Sequence, residues 1–399
     1  MFDTLEMAPP DPILGLTEAF KSDANPDKIN LSVGVYKDAN GTTPVLASVK
    51  EAERRILENE SSKAYMPITG SPEYGNAVQH LMFGADHEVV TSGRAVTAHC
   101  PGGTGALRVV GNYLGENHSG VSIWMSNPTW ANHGAIFKAA GVEVRSYPYF
   151  DAATNSLDFD AMCAALKEVP AGDVVLLHGC CHNPTGVDPT PEQWNAIADI
   201  AAERQFIPLV DFAYQGFATG IEEDAAGLRA LARPGSELFV CSSFSKNFGL
   251  YRERVGALTV VAGSADTAKI VNSLVKVSIR RNYSNPPAHG AGIVVEILAD
   301  AALRQQWESE LTEMRERING MRKLFADTLA AKGKTLPGGD NSFITKQNGM
   351  FSFSGLNKDQ VNRLKDEKSI YIVGSGRINV AGMTESNMDA LCDAIVEVL

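Results

Sequence analysis

Hydrophobic positions along the chain follow two periods that alternate. Short apolar runs, typical of buried strands, are separated by stretches in which apolar residues recur every three or four positions, as on one face of a helix. The runs that predict strands are 95–100, 121–125, 143–147, 173–177, 207–212 and 238–241. The stretches that predict helices between them include 106–114, 159–166 and 192–203. This alternation predicts an α/β fold with a mostly parallel sheet covered by helices on both faces.

The two ends of the chain have a different pattern. Apolar residues between 303 and 325 are spaced by threes and fours, which predicts one helix long enough to connect two domains. After it, the pattern predicts a strand at 349–354, a helix at 358–366, a strand at 370–373 and a closing helix from Ser386. Residues 1–44 are rich in turn formers around a short amphipathic patch at 13–20, with one alternating stretch at 30–37 that predicts a strand.

This pattern predicts two domains. Residues 45–313 form a large α/β domain, and residues 314–399 form most of a smaller one. Residues 1–44 are expected to supply an N-terminal arm and the rest of the smaller domain, which is then built from both chain ends.

Composition and charge indicate which kinds of binding partner are unfavourable for this chain. The chain of 399 residues has a formal net charge of −12, which argues against nucleic acid or an anionic membrane as the main partner. No apolar stretch is long enough to span a bilayer, and the first residues lack the pattern of a signal peptide. The six cysteines are scattered, mostly in apolar contexts, as expected for reduced, buried residues. We therefore expect a cytoplasmic protein.

Lys246 is the first candidate for chemistry. It follows the predicted strand 238–241 and comes just after Ser243 and Ser245, with Arg254 further on. Hydroxyl groups and a guanidinium can hold a phosphate at the carboxyl edge of a parallel sheet. A lysine among such groups suggests an aldehyde cofactor that carries a phosphate and is held as a Schiff base. The alternative is a lysine on a solvated loop.

Asp211 adds a carboxylate at the end of the predicted strand 207–212. Such an aspartate is most often a helix cap or a structural acid. Together with Lys246 it gains a role, because pyridoxal phosphate needs a carboxylate that keeps its ring nitrogen protonated. Tyr214 is close enough in sequence to donate to the ring oxygen, although it can also be a core tyrosine.

The glycine-rich turn 101–105 leads from a predicted strand into a predicted helix. Unpaired backbone N–H groups and the positive end of the helix dipole favour an anionic group there. A dinucleotide site is disfavoured, because Arg108 stands where a third glycine is needed and no acidic residue follows at the required distance. The turn is equally well explained by packing alone.

Residues 178–186 suggest zinc, because Cys180 and Cys181 lie between His178 and His182. Pro184 prevents the helix that would place both histidines on one face, and extended residues four apart lie about 13 Å from each other. We therefore predict no metal, and expect the turn at Asn183 to present an amide to a cleft.

Arg280 and Arg377 follow in the last third of the chain. A dicarboxylic substrate needs two guanidinium groups, each holding one carboxylate. Neither arginine is distinguished by spacing alone.

Ten sequence blocks, spread over essentially the whole chain, resemble the aspartate aminotransferase family. They are DPILGL, VGVYKD, PGGTGALR, NPTW, HGCCHNPTG, DFAYQGF, SFSKNFGLYRERVG, RNYSNPP, NGMFSFSG and SGRINVAGM. The family comprises class I aminotransferases of fold type I, including bacterial aspartate and aromatic aminotransferases. The resemblance implies a seven-stranded, mostly parallel sheet between helices, a smaller α/β domain, pyridoxal 5′-phosphate as cofactor and a homodimer with shared active sites.

The resemblance also implies roles around the cofactor ring. Lys246 would hold the cofactor and, once released by substrate, move the proton between the substrate Cα and the cofactor. Asp211 would pair with the ring nitrogen, Tyr214 and Asn183 would bind the ring oxygen, and Trp130 would stack on the ring. The phosphate would be held by Gly103, Thr104, Ser243, Ser245 and Arg254, and by Tyr65 of a second subunit.

On the substrate side, the resemblance implies that Arg377 binds the α-carboxylate and that Arg280 of the second subunit binds the distal one. Asn183, Trp130 and Gly34 complete the expected substrate site. The implied bonds from Asn127 to Pro128 and from Asn183 to Pro184 are cis.

The resemblance implies a ping-pong transamination of L-aspartate with 2-oxoglutarate, giving oxaloacetate and glutamate. Aromatic amino acids are further expected substrates, and an enzyme that mainly uses phenylalanine and tyrosine is the alternative. Ala64 departs from the asparagine usual in the aspartate-preferring branch. A lyase or decarboxylase on the same fold, an oxidoreductase that binds a nucleotide at the glycine turn and a non-catalytic binding protein are the competing hypotheses.

Overall fold

The computed structural model describes residues 2–7 and 14–399. Part of the predicted amphipathic patch at 13–20, and part of the block DPILGL, lie outside the described residues. The strands are β1 (Ile29–Asn30), β2 (Ala95–Pro101), β3 (Ser122–Asn127), β4 (Glu143–Pro148), β5 (Phe150–Asp151), β6 (Ser156–Leu157), β7 (Val174–His178), β8 (Ile207–Phe212), β9 (Leu238–Ser243), β10 (Val255–Val261), β11 (Phe351–Phe353), β12 (Ile370–Tyr371) and β13 (Arg377–Asn379).

The helices of the described residues carry the labels α1 to α16. They are α1 (Leu14–Ser22), α2 (Ala47–Asn59), α3 (Pro72–Phe83), α4 (Glu88–Thr91), α5 (Gly102–Asn117), α6 (Asn132–Ala139), α7 (Phe159–Leu166), α8 (Pro191–Arg204), α9 (Ile221–Asp224), α10 (Ala226–Leu231), α11 (Ala265–Asn282), α12 (His289–Ala299), α13 (Ala301–Ala331), α14 (Ser342–Lys346), α15 (Lys358–Lys368) and α16 (Glu385–Val398). Phe2–Thr4 and Val380–Gly382 form short 3₁₀ turns.

Seven strands form the central sheet, in the order β2, β10, β9, β8, β7, β3, β4. All neighbouring pairs from β9 to β4 are parallel, and β10 runs antiparallel to both β2 and β9. Every residue of β7, β9 and β10 is buried, as expected for strands that are covered on both faces. The predicted α/β fold with a mostly parallel seven-stranded sheet is therefore confirmed.

Helix starts follow from their capping residues. The sequence of residues 190–193 predicts a helix start, and Thr190 and Gln193 form a capping box at α8 with Pro191 in the first turn. Asp300 caps α13 by accepting a hydrogen bond from the backbone N–H of Leu303.

The long helix α13 has 31 residues, and its apolar stripe is buried. The predicted helix at 303–325 lies inside it. The predicted domain boundary at 313 and 314 also lies inside this continuous helix, and the division into domains stays a prediction.

Among the described residues, three pairs of strands lie outside the central sheet. Strands β5 and β6 form one antiparallel pair, and the other two pairs use the two ends of the described chain. Strand β1 pairs in parallel with β12, so that Ile29 lies opposite Ile370. Strand β11 pairs antiparallel with β13, where Phe353 lies opposite Arg377. This pairing brings Arg377 to the large sheet's cleft.

The strand predicted at 30–37 is wrong beyond Asn30, because β1 ends there. The side chain of Asn379 donates to the backbone oxygens of Val33 and Val35, at 2.6 and 2.9 Å. These carbonyl groups are therefore satisfied by an amide rather than by a neighbouring strand. In the described residues, no helix is both long and apolar enough to cross a bilayer.

Candidate active site

A cleft opens where the carboxyl ends of five strands meet, as expected for ligand sites in α/β sheets. The strands are β2, β3, β7, β8 and β9, and the cavity between their loops and β13 measures about 250 Å³. It is lined by Gly34, Gly103, Thr104, Leu107, Trp130, His178, Cys180, Asn183, Asp211, Ala213, Tyr214, Ser243, Ser245, Lys246, Tyr251, Arg254, Phe351 and Arg377. All the predicted site residues except Tyr65 and Arg280 line this one cavity.

Lys246 reaches the cavity from the loop after β9. Its Nζ atom lies 4.9 Å from the ring centre of Tyr214. Burial lowers the pKa of Lys246 below 10.5, and Arg254 lowers it further, whereas the nearby Asp211 carboxylate opposes this change. The fraction of neutral amine is therefore raised, as a lysine that acts as a nucleophile or base requires.

Asp211 lies at the end of β8 and accepts a hydrogen bond from His133 Nε2 at 3.0 Å. Burial alone would raise the pKa of Asp211, but the His133 hydrogen bond and the charge of Lys246 lower it below 3.8. Asp211 is therefore a carboxylate at neutral pH.

The hydrogen bond to Asp211 is the end of a longer network. Thr129 Oγ1 lies 2.8 Å from His133 Nδ1 and 3.0 Å from His178 Nε2. The backbone N–H of Asn183 donates to His178 Nδ1 at 3.3 Å. The network thus connects the turn at Asn183 with the carboxylate of Asp211.

The direction of every bond in this network follows from its two ends. The N–H of Asn183 can only donate, so His178 Nδ1 is an acceptor and His178 Nε2 carries the proton. Thr129 then accepts from His178 and donates to His133 Nδ1, which leaves the proton on His133 Nε2 facing Asp211. Burial, together with His133, lowers the pKa of His178 to about 3, so this ring is neutral at pH 7.

Residues at the start of α5 and in the segment from the end of β9 to β10 form a cradle at the other end of the cleft. Helix α5 begins at Gly102 without a side-chain cap, so the N–H groups of its first turn are available to an anion. Ser243 Oγ donates to Ser245 Oγ at 3.2 Å. Arg254 approaches so closely that a Cβ atom at Gly102 would lie 2.5 Å from its Nη2 atom. Main-chain donors, hydroxyls and a guanidinium therefore converge as in a phosphate site.

Arg377 lies at the opposite wall and is 5% exposed. It donates to the backbone oxygen of Ser32 at 2.7 Å and, over 3.5 Å, to Asn183 Oδ1. The guanidinium carbon lies 4.1 Å from the ring centre of Phe351, within range of a cation–π interaction. Arg377 Nε is buried without a hydrogen-bond partner, and the residue forms no ion pair with the described residues. A buried guanidinium without a carboxylate suits an anionic ligand.

The remaining predicted residues have different positions. Trp130 is partly buried at the cleft, and its ring meets His133 edge-on with centroids 5.2 Å apart. Gly34 lies against Phe351, where a Cβ atom would come within 2.9 Å of the ring. Tyr65 is 93% exposed, and Arg280 is exposed at the end of α11, where it donates to Ser284. These last two residues do not reach the cavity of their own chain.

Several site residues had no local signal in the sequence. The sequence patterns do not predict a role for Thr129 or His133, although Thr129 lies in the block NPTW. Tyr251 and Phe351 also line the cleft. The bonds from Asn127 to Pro128 and from Asn183 to Pro184 are both cis.

One group in the described residues could contact a metal ion: Cys180, Cys181 and Asp224. The Asp224 carboxylate already accepts four hydrogen bonds from the backbone of residues 216–220. His178 and His182, which suggested zinc in the sequence, are engaged with Thr129 and Ser126 instead.

An α/β fold with a lysine, a carboxylate and an anion cradle in one cleft is typical of enzymes that hold a phosphate-bearing aldehyde cofactor on a lysine. Comparison with known protein families identifies the family. The family model described as "Aminotransferase class I and II" matches residues 26–395. The chain therefore belongs to the class I and II aminotransferases, and it is a transaminase.

Individual relatives match over the whole chain. The aspartate aminotransferase of Escherichia coli (strain K12) is 57% identical over 399 residues and is covered completely, as is this chain. The tyrosine aminotransferase of Klebsiella pneumoniae is 44% identical over 400 residues, with all of both chains covered.

A solved structure also matches this chain over its whole length. The aromatic-amino-acid aminotransferase from Burkholderia pseudomallei, covalently bound to pyridoxal phosphate, superposes with a TM-score of 0.96. It is 47% identical, and the match covers 100% of this chain and 99% of that one. The predicted class I, fold type I enzyme is confirmed.

Class I aminotransferases use pyridoxal phosphate, and the cleft fits that group. The cradle around Gly102 and Arg254 suits its phosphate, and the ionised Asp211 suits its protonated ring nitrogen. Among the described residues that line the cavity, Lys246 is the one lysine.

Proposed function

We propose that this chain transfers the amino group of L-aspartate to 2-oxoglutarate, giving oxaloacetate and glutamate by a ping-pong mechanism, and that it also accepts aromatic amino acids. The observation that carries this proposal is Arg377, a buried guanidinium without a carboxylate partner that faces the same cavity as Lys246 and Asp211. Such a group holds the carboxylate that every amino acid and 2-oxo acid carries.

Lys246 holds the cofactor and moves the proton at the substrate Cα. When bound, pyridoxal phosphate supplies the carbonyl carbon that takes up the amino group and a ring that accepts electrons. Because burial lowers the pKa of Lys246, its amine releases a proton more readily than a solvated lysine and suits a group that both takes and returns one.

Asp211 keeps a proton on the cofactor's ring nitrogen. Its lowered pKa keeps it an anion at neutral pH, and His133 holds that anion in one orientation. Tyr214 and Asn183 bind the ring oxygen, and burial raises the pKa of Tyr214 above 10, so that its hydroxyl remains a donor. Trp130, which lines the same cavity, would stack on one face of the ring.

The phosphate is held by the cradle at the start of α5. Gly103 and Thr104 supply the first turn of the helix, Ser243 and Ser245 supply hydroxyls, and Arg254 supplies the charge. A Cβ atom at Gly103 would come within 3.1 Å of Ser243 Cβ, which explains a glycine there.

We also propose that the active enzyme is a homodimer with shared sites. Tyr65 and Arg280 are exposed and lie outside the cavity of their own chain, so in a dimer each can complete the partner's site. Tyr65 of the partner subunit would contact the phosphate, and Arg280 of the partner subunit would bind the distal carboxylate of a dicarboxylic substrate. Because Gly34 has no side chain, the ring of Phe351 can pack against its backbone at the wall of the substrate site.

We place the enzyme in the cytoplasm. All six cysteines are free, and five of them are buried. This usage is typical of a reducing compartment.

The experiment that tests the proposed function compares kcat/KM for aspartate, phenylalanine and tyrosine with 2-oxoglutarate as acceptor. We expect aspartate to be the better substrate and both aromatic amino acids to be measurable. The aromatic-aminotransferase alternative is favoured by the structural match to the Burkholderia pseudomallei enzyme. It predicts the reverse order. If added 2-oxoglutarate fails to restore the aldehyde form of the cofactor, transamination is excluded for this chain.

A second measurement tests the role of Lys246. The purified enzyme should show the visible absorption of a cofactor joined to lysine, and borohydride should fix the cofactor to the chain. Both signals should disappear in Lys246→Ala. Their persistence would refute the assignment.

A further inference from the structure

A second cavity lies at the opposite edge of the central sheet from the active site. It measures about 270 Å³ and is lined by the first residues of β7, β8 and β9 and the last of β10. Helices α5 and α11 close it. Because the active-site cleft is at the carboxyl ends of β7, β8 and β9, the length of these strands separates the two cavities.

The body of this second cavity is apolar and partly aromatic. Val174, Leu238 and Val260 contribute aliphatic side chains. Tyr113 and Phe239 contribute two rings that meet edge-on, with centroids 5.8 Å apart. An engineered apolar cavity of about 150 Å³ binds benzene, so a cavity of this size can hold one aromatic ring with a short substituent.

One side of the cavity is polar and negatively charged. Glu237 lines it, accepts one hydrogen bond from the N–H of Gly263 at 3.0 Å, and makes no ion pair with the described residues. Tyr113 places its hydroxyl 3.1 Å from His118 Nε2 at the same side. Among the described residues that line the cavity there is no lysine or arginine. The charge of Glu237 is therefore free for a ligand.

We propose that this cavity is a binding site for a small organic cation that carries one aromatic ring, such as an arylalkyl amine in its protonated form. The ring would lie in the cavity against the side chains of Tyr113 and Phe239, and the ammonium group would pair with Glu237. The cation also gains from the face of Tyr113, since aromatic rings attract cations. The site is separate from the active-site cleft, because the two cavities share no lining residue.

The test uses N,N-dimethylbenzylamine, a tertiary amine that cannot condense with the aldehyde of the cofactor. The holoenzyme is titrated with it and binding is followed by saturation-transfer NMR, with benzyl alcohol as the neutral comparison. We expect one saturable site per chain with a dissociation constant of about 1 mM or below, which saturating 2-oxoglutarate does not displace. Absence of saturation, or displacement by 2-oxoglutarate, would overturn the proposal.

Two variants locate the site. Glu237→Gln changes an exposed side chain, and it should weaken amine binding about fivefold while benzyl alcohol binds as before. Val271→Trp, on α11, should fill the cavity and abolish binding of both probes. Glu73→Gln, at an exposed position in α3, is the matched control and should bind as the unchanged protein does.

Equal amine affinity in Glu237→Gln and the unchanged protein would refute cation recognition, and so would an equal loss in Glu73→Gln. Thermal melting curves of each variant show whether it is folded. If Val271→Trp does not fold, the comparison of Glu237→Gln with Glu73→Gln still decides the result.

Discussion

Replacing Thr129 by valine removes one hydroxyl from the network between Asn183 and Asp211. Valine has nearly the shape of threonine, so the change deletes two hydrogen bonds with little loss of packing. The bonds are those to His133 Nδ1 at 2.8 Å and to His178 Nε2 at 3.0 Å. Thr129→Ser keeps the hydroxyl and is the matched control.

The magnitude follows from the burial of His178. Its Nε2–H group would be left as a donor without a partner, which costs about 1–3 kcal/mol, in addition to the smaller net loss at His133. Protonation of His178 does not relieve this loss, because it adds a proton at Nδ1 and supplies no acceptor for Nε2–H. We expect Thr129→Val to be about 2–3 kcal/mol less stable than the unchanged protein.

Thr129→Val should lower activity because it changes the hydrogen bond between His133 and Asp211. Without the Thr129 donor, the proton of His133 is no longer held on Nε2, and its hydrogen bond to Asp211 weakens. Burial then dominates at Asp211, and its pKa should rise. If about 1.4 kcal/mol of this pairing is lost in the transition state, kcat falls about tenfold.

The assay combines thermal unfolding with kcat measured between pH 5 and 9. We expect Thr129→Val to be less stable, to have a lower kcat and to lose activity at a higher pH on the acid side, because Asp211 is protonated more easily. Thr129→Ser should restore all three quantities. If serine and valine variants behave alike, or if the valine variant keeps its stability and pH profile, the proposed direction of the network is wrong.

Three further predictions concern other parts of the structure. Gly102 has a φ of +75°, and Gly102→Ala would place a Cβ atom 2.5 Å from Arg254 Nη2, so we expect cofactor affinity to fall at least tenfold in an equilibrium titration. Arg280→Asp should reduce kcat/KM for aspartate far more than for phenylalanine, and equal losses would show that the distal carboxylate binds elsewhere. Burial raises the pKa of Asp188 to about 6 from 3.8, so its contribution to stability is complete below pH 4 and is lost as the pH rises through 6. Because Asp188 is partly exposed, we expect this loss to be about 2 kcal/mol by pH 7, and an unfolding profile of Asp188→Asn that still shows it would contradict the assignment.

The sequence predicts most strands of the sheet because a strand that is buried on both faces appears as a short run of apolar residues, which can be recognised without knowing the rest of the fold. Strands β7 and β9 are buried on both faces and appear in the sequence as continuous apolar runs, and β8 has the predicted bounds 207–212. Strand β10 is missing from the strands predicted above, although Val255–Val261 is equally apolar. The sequence also indicates that β10 runs antiparallel to β9. The connection 244–254 between them is shorter than the dozen or more residues that a parallel crossover needs.

The candidate site was predictable where chemistry and strand ends coincide. Lys246 and Asp211 follow apolar runs, so their place at the carboxyl edge of the sheet follows from pattern alone. His133 lies inside α6 and is fully buried, and no local pattern shows that its ring faces Asp211, 78 residues away. Arg377 is similar, because its partner Ser32 is 345 residues away and only the pairing of the chain ends brings the two together.

The contacts of Arg377 show how it could bind a substrate carboxylate and lose only a weak hydrogen bond. Of its two hydrogen bonds, the one to Asn183 Oδ1 is long, at 3.5 Å, and the one to Ser32 is short, at 2.7 Å. A carboxylate that displaced Asn183 would replace the weaker bond by a charge-assisted one and leave the bond to Ser32 in place. The backbone N–H of Asn183, which donates to His178, takes no part in this exchange. The amide of Asn183 can therefore turn to another partner, such as the ring oxygen of the cofactor, without disturbing the network that orients Asp211.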